Sequence, residues 1–382
     1  MRGCLPGLGE GTTNTSPLDA ARSFNNAAPV DPAVLARALD EAFALAARGP
    51  RYGPNPRVGC VLLDGGNVIG RGTHRGAGQP HAEVEALADA AARGRSTRGA
   101  TAVVTLEPCA HTGRTGPCAP ALVAAGVARV VSAARDPNPL AAGGAAYLRS
   151  HGVEMVDDAA PARARALNPA WWHAVTMGRP YVTAKTAATL DGRIAAADGT
   201  SQWITGPEAR AHAHEVRARV DAIIVGIGTV LADDPALSAR PAGTRAGDDV
   251  HQPLRVVMGL RDIPKGARMS ADPDLLRHVR AHDPADVLAV LAREEVRHVL
   301  VEGGATVLAA FVRAGLVDEL HAYIAPMFLG AGTPAVADLG VETLGDAPRW
   351  EVREVRRLGT CAWLRGERAP ADHDANPEPK EK

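Results

Sequence analysis

Two cysteines, Cys109 and Cys118, stand either side of a glycine-rich loop in the stretch LEPCAHTGRTGPCAP. The chain has only three others, Cys4, Cys60 and Cys361. Such a pair can close a disulfide, hold a metal ion or be incidental. Upstream, His81 follows Pro80 where a helical pattern begins, and Glu83 is two residues on. Residues i and i+2 of a helix do not share a face. The two therefore suit one metal ligand and one proton-handling neighbour better than two ligands. Thiolates are favoured near helix N-termini, where the backbone dipole is positive, and Ala119-Pro120 after Cys118 is a good helix opening. One imidazole and two thiolates fill three of zinc's four positions and leave the fourth open, the catalytic rather than the structural pattern. The open position holds a water whose pKa the metal lowers towards about 7, and Glu83 is placed to take its proton and pass it on. A lone histidine at a helix start is more often structural. The combination with a strand ending in E-P-C and a second cysteine at a helix start favours metal chemistry.

These groups need a scaffold, and the surrounding pattern predicts one. Residues 31–49 (DPAVLARALDEAFALAARG) read as a helix with Asp31 as N-cap, Pro32 in its first turn and Gly49 as its stop. Residues 58–72 read as a hairpin turning at Asp64-Gly65-Gly66. A helix over 81–94 and a buried strand over 100–108 follow. Helix, glycine and strand then recur over 119–137 and 145–156. Alternation of this kind indicates a layered α/β domain with parallel pairings. A helix over 160–175 bridges to a second α/β series opening at 179–195. Apolar strands are expected over 221–230, 253–259 and 296–304, each ending in a glycine turn, with helix, turn and strand over 305–326. The expected organisation is a disordered lead at 1–30, domains at 31–175 and 176–368, and a disordered tail at 369–382. A length of 382 residues suits two domains better than one core.

Bulk properties exclude several classes. With 42 basic and 43 acidic residues the net charge is −1, so no global basic field draws nucleic acid or an anionic membrane. Aromatic residues are only 3%, too few for a base-stacking platform. No run of about 18 apolar residues appears, and the start lacks a secretory pattern. An odd number of cysteines without a signal suggests the reducing cytoplasm, where neighbouring cysteines more often bind metal than pair.

H-x-E followed by P-C and a further cysteine is the logic of zinc nucleobase deaminases, which usually read P-C-x-x-C. Here the eight residues Ala110–Pro117 intervene. TLEPCAHTGRTGPC, GPNPRVGCVL (53–62), GQPHAEVEAL (78–87) and DPNPLAAGGAAYL (136–148) together resemble the deaminase half of a bifunctional riboflavin-biosynthesis family. In that family a diaminohydroxyphosphoribosylaminopyrimidine deaminase is joined to a 5-amino-6-(5-phosphoribosylamino)uracil reductase. The resemblance implies a cytidine-deaminase-like domain with His81, Cys109 and Cys118 as ligands of one Zn2+ and Glu83 as proton donor and acceptor. It implies Asn55, His111 and Arg114 as substrate contacts. His74 is read as a satisfied structural histidine. The family commonly carries a second His or Ser where Ala110 and Thr112 stand, a departure outside the ligand set.

The second half resembles the family's reductase, of dihydrofolate-reductase-like fold. The blocks are VTAKTAATLDGRIAAADGTSQWITG (182–206), DAIIVGIGTVLADDPALSAR (221–240) and VLVEGGATVLAAFVRAGLVDEL (299–320). Both domains are thus expected to be three-layer α/β/α. Gly303-Gly304 between a strand and a helix can bring backbone amides to a phosphate, whereas Gly226-x-Gly228 lacks the third glycine of a Rossmann fingerprint. The resemblance implies NADPH on Ala188, Trp203, Thr229, Asp233, Gly304, Ala305 and Thr306. It implies the sugar-phosphate substrate on Lys185, Ser201, Arg217, Leu237, Arg240 and Glu302, with Arg217 and Arg240 able to clamp a phosphate. It further implies a cytoplasmic homo-oligomer, a dimer or tetramer, acting on small phosphorylated pyrimidines. A member with only one competent domain is the alternative.

Overall fold

The computed structural model describes residues 30–369 except 112, 246 and 247. Apart from Val30 and Ala369, the expected lead and tail lie outside these residues. The chain folds as two compact units: one of residues up to Gly49 with Arg57–Leu167, the other of Pro50–Pro56 with Asn168 onward. The boundary expected at 175 is therefore moved to 167. The single helix expected over 160–175 is broken at Asn168, whose backbone (φ −125°, ψ 51°) is not helical. Pro169, which has no N–H to donate, opens the next helix and belongs to the second unit.

In the first unit, α1 (Pro32–Ala46) starts as expected, with the Asp31 carboxylate accepting the Ala33 N–H at 2.6 Å. β1 (Gly59–Asp64) and β2 (Asn67–Thr73) form the hairpin. There follow α2 (Ala82–Ala92), β3 (Thr101–Val104), α3 (Cys118–Ala124), β4 (Arg129–Ser132), α4 (Gly144–Ser150), β5 (Glu154–Val156) and α5 (Pro161–Leu167). The sheet order is β2-β1-β3-β4-β5, with the last three strands parallel. Strand alternation divides the core. Val61, Leu63 and Val103 face α1, while Cys60, Leu62, Ala102 and Val104 face α2 and α3.

The second unit contains α6 (Pro169–Met177), β6 (Tyr181–Thr189), β7 (Arg193–Ala195), α7 (Pro207–Arg217), β8 (Ala222–Gly226), α8 (Ile227–Asp233), β9 (Leu254–Met258) and β10 (Leu276–Val279). After these come α9 (Pro284–Arg293), β11 (His298–Val301), α10 (Ala305–Arg313), β12 (Glu319–Ala325), β13 (Thr333–Pro334), β14 (Trp350–Leu358) and β15 (Cys361–Arg368). Eight strands form one sheet, β10-β9-β8-β11-β6-β12-β15-β14, parallel up to β12 and antiparallel beyond it; β7 and β13 pair separately. The strand expected over 221–230 ends at Gly226, and Ile227 begins α8. β-Branched and apolar residues fill both elements, so composition alone does not mark that turn. Helices α9 and α10 cover one face of the sheet and α7 part of the other, the three-layer arrangement expected.

Close backbone approach fixes the first unit's layers. A Cβ on Gly72 of β2 would lie 1.9 Å from the Ala82 carbonyl oxygen at the start of α2, and one on Gly59 would lie 2.1 Å from the Ala42 carbonyl of α1. Gly72→Ala must push α2 off the sheet. Overpacking of this kind costs about 1–3 kcal/mol. The expected result is an unfolding midpoint lowered by several degrees in calorimetry, together with reduced metal retention. A variant with the parent midpoint would contradict this reading of the layer spacing.

Candidate metal centre and ion-pair site

His81 caps α2, Cys109 lies buried in the loop after β3, and Cys118 is the first residue of α3 and fully buried. Their ligand atoms all lie within 4.8 Å of one another. His81 Nδ1 is 3.2 Å from Cys118 Sγ and 3.5 Å from Cys109 Sγ. Both cysteines are free thiols, so the disulfide reading of the loop falls away. Backbone bonds hold the loop's ends together: the Cys118 N–H donates to Cys109 Sγ at 3.4 Å and the Ala119 N–H to the Cys109 carbonyl at 3.0 Å. The Cys109 thiol is pulled down to about 4, chiefly by the hydrogen bond from Cys118, and the same bond pushes Cys118 up. Two thiols with an imidazole beside them form a donor set suited to a divalent cation. One nitrogen and two sulfurs suit zinc.

Glu83 is buried one step inside α2, and burial first of all pushes its carboxyl up to about 6. It also shares a hydrogen bond with the Cys118 thiol. His74 is buried and packs edge-on to His81, with ring centroids 5.1 Å apart, and its Nδ1 is 3.0 Å from the carbonyl oxygen of Pro80. It thereby steadies the residue before the ligand, in agreement with a structural role. His111 and Arg114 lie exposed on the loop between the cysteines. Asn55 belongs to the segment that packs with the second unit. There the Gly53 N–H donates to Asp221 and Tyr52 stacks on His251.

Asp136 was not singled out by the sequence. It is half-buried, and its carboxyl is pushed up to about 7, first by burial and then by the negative charges of Glu107, Cys109 and Glu83. Glu107, of the E-P-C strand end, accepts the Asp136 N–H at 3.2 Å and the Ala145 N–H at 2.8 Å, tying the 136–145 segment to the metal loop. The D-P-N-P stretch was visible, but not the burial that shifts the Asp136 carboxyl.

In the second unit the centre is Glu302, just beyond the carboxyl end of β11. Arg217, the last residue of α7, grips it with both arms, Nε to Oε1 at 2.6 Å and Nη2 to Oε2 at 2.8 Å. Lys185 of β6 adds its ammonium at 3.5 Å. Burial alone would raise Glu302, but Arg217 and Lys185 outweigh it and hold the carboxyl at about 2. The arginine fork expected on a phosphate is thus taken by a carboxylate. Arg240 is exposed, with its Nη2 3.4 Å from His214 Nε2. Leu237 has φ +50° and a buried side chain, so only its backbone is available to a ligand.

Thr229 Oγ accepts the Gly304 N–H at 3.3 Å, joining α8 to the turn that opens α10. Gly226 and Gly303 let that turn close: a Cβ on either would lie within 2.7 Å of Val307. Ala305 is buried behind the turn and Thr306 exposed on it. Ala188 is buried near the end of β6, while Asp233 ends α8 and is exposed. Ser201 is half-buried, and Trp203 is 69% exposed with the Arg210 guanidinium over its ring. The Gly304 turn and Glu302 both lie at the carboxyl ends of parallel strands, where open α/β sheets bind ligands, and the free amides of an uncapped helix start can take a phosphate of NADPH.

Comparison with known proteins agrees with this division. The cytidine and deoxycytidylate deaminase zinc-binding region matches residues 34–134, and the RibD C-terminal domain matches residues 180–363. The riboflavin biosynthesis protein RibD of Mycobacterium tuberculosis is 45% identical over 85% of this chain and 95% of its own length. That of Escherichia coli is 40% identical over 86% and 98%. Among solved structures, Acinetobacter baumannii RibD superposes with a TM-score of 0.82 at 38% identity, covering 89% of this chain and all of that one. A Thermotoga maritima diaminohydroxyphosphoribosylaminopyrimidine deaminase/5-amino-6-(5-phosphoribosylamino)uracil reductase gives 0.78 at 30% identity, covering 88% and 99%.

Two measurements probe the sites directly. Elemental analysis of the purified chain should find one zinc per protein, and Cys118→Ser should lose most of it; an unchanged zinc content would remove Cys118 from the ligand set. For Glu302, the folded pKa of about 2 lies below the ordinary 4.5. The stabilisation it gives, on the order of 3 kcal/mol, is therefore full above about pH 4.5 and is lost as pH falls towards 2. Glu302→Gln should lower the unfolding midpoint at pH 7 and flatten its acid dependence. If the variant's midpoint fell with acid as steeply as the parent's, the ion pair would not be the group titrating.

Proposed function

The chain belongs to the RibD family of riboflavin-biosynthesis proteins, and from that premise we propose how its own residues carry out the family's two reactions. The enzyme is a bifunctional deaminase and reductase. It removes an exocyclic amine from 2,5-diamino-6-ribosylamino-4(3H)-pyrimidinone 5′-phosphate and then reduces the ribosyl group to ribityl. The observation that supports the residue assignment best is the buried carboxylate of Glu83 beside a cluster of one imidazole and two thiols.

Zinc, when bound, supplies a Lewis acid that makes water a nucleophile at neutral pH. His81, Cys109 and Cys118 hold it. Glu83 takes a proton from the attacking water and returns one to the departing amine, so that water is consumed and ammonia released. Asp136, within electrostatic reach of Glu83 and Cys109, is read as a further polar wall of this pocket. His111 and Arg114 are read as substrate contacts from the loop, and Asn55 as a further substrate contact.

NADPH supplies the hydride for the second step. Its binding is assigned to Ala188, Trp203, Thr229, Asp233 and the Gly304–Ala305–Thr306 turn. For the sugar phosphate, Lys185 and Glu302 form a charged floor, Arg217 fixes Glu302, and Ser201, the Leu237 backbone and Arg240 line the approach. The protein's contribution here is positioning. Both family regions are matched and both clusters are assembled, so nothing favours a single-activity member. Among the described residues no helix is long and apolar enough to cross a membrane. A cytoplasmic homo-oligomer remains our reading. β14 supports it, lying exposed along most of its length at the sheet edge with Val352 and Val355 outward.

Glu83→Gln is expected to keep its zinc and lose at least 100-fold in ammonia release, in line with the loss of a general acid–base. NADPH oxidation with the deaminated substrate should continue at the parent rate. Ammonia release at the parent rate would remove Glu83 from the reaction.

A further inference from the structure

We propose that His214 is a positioning residue of the reductase, aiming Arg240 at the phosphate of the substrate. The proposal rests on the assignment of Arg240 to that phosphate and adds a group that the sequence did not single out.

His214 sits on α7 one turn before Arg217, on the same face. Its Nδ1 is 3.1 Å from the Ser238 carbonyl oxygen, and the same oxygen accepts from Arg217 Nη1 at 3.2 Å. A carbonyl can only accept, so Nδ1 carries the proton. Burial, followed by the charges of Arg217 and Arg240, lowers the pKa of the ring and keeps it neutral. Its Nε2 therefore presents a lone pair. Arg240 Nη2 lies 3.4 Å from that nitrogen, and a guanidinium can only donate. Ser238 thus sets the tautomer, and the tautomer turns an acceptor towards Arg240.

The charge distribution explains why a neutral acceptor is useful there. Arg217 is neutralised by Glu302 through two bonds. Among the described residues no carboxylate pairs with Arg240, which leaves its positive charge for an incoming anion. An acid in place of His214 would cancel that charge and repel a phosphate. A cation would push Arg240 away. A neutral imidazole with a fixed tautomer narrows the rotamers of an exposed arginine and leaves the charge intact.

The test uses the full chain with zinc and NADPH. It measures reductase kinetics on the deaminated substrate and on the same compound without its phosphate. His214→Asn keeps a donor for Ser238 and loses the acceptor for Arg240, while His214→Gln extends an acceptor to about the Nε2 position. His214→Asn should raise KM for the phosphorylated substrate about five- to twentyfold, with kcat within twofold and little change for the dephosphorylated one. His214→Gln should recover most of the loss. Ammonia release and the unfolding midpoint report that the fold is intact. Equal loss of kcat/KM on both substrates, or no change in KM, overturns the proposal. Arg240→Ala separates the two levels of the argument. If it erases the preference for phosphate while His214→Asn does not weaken it, the proposal alone fails; if Arg240→Ala keeps the preference, the assignment of Arg240 fails as well.

Discussion

The carbonyl of Ala82 sits where a side chain on Gly72 would have to be, and the first active site depends on that approach. Helix α2 lies directly on β2 and presents His81 at its first cap position and Glu83 inside its first turn. A helix held further off would carry both residues away from the thiols, which a different pair of elements brings in. The loop after β3 supplies Cys109 and the start of α3 supplies Cys118, and backbone bonds between the two hold them in place. Three candidate donors from three segments converge because each segment is fixed by its own packing. Metal binding then adds to a geometry that the fold has largely formed.

The second site is organised by charge. Glu302 is buried, and a buried carboxylate is tolerable only with partners. Arg217 and Lys185 provide them from α7 and β6, so one ion pair ties the carboxyl end of β11 to the helix above it. That arrangement occupies the fork of Arg217, whereas among the described residues no carboxylate pairs with Arg240. Removal of Arg217 strips the carboxylate of its two shortest bonds and leaves it only Lys185, and a mutant at Arg217 will therefore mix a folding effect with a binding effect.

Short-range signals made much of this legible in the sequence. Asp31-Pro32 announced α1, Asp64-Gly65-Gly66 announced the hairpin, and His81, Cys109 and Cys118, picked out by type and spacing, do come together in the fold. What could not be read was set by partners distant in sequence. The fork of Arg217 goes to a carboxylate 85 residues away. The raised carboxyl of Asp136 arises only because folding buries it near Glu107, Cys109 and Glu83. Segment 50–56 packs with the second unit through Asp221 and His251, and no local pattern of 50–56 reveals it. The start of α8 at Ile227 was missed for a different reason, since β-branched and apolar residues stand on both sides of it, whereas the break at Asn168 was signalled by Asn168-Pro169 and not read.

The most direct test of the account is to incubate the pure, zinc-loaded chain with the diaminopyrimidine ribosyl phosphate and to follow ammonia and NADPH separately. Without NADPH, ammonia should be released to one equivalent of substrate. With NADPH, its oxidation should begin only after ammonia appears and should reach the same total. NADPH oxidation without ammonia release, or ammonia release never followed by oxidation, would contradict a two-step enzyme in which the first unit feeds the second.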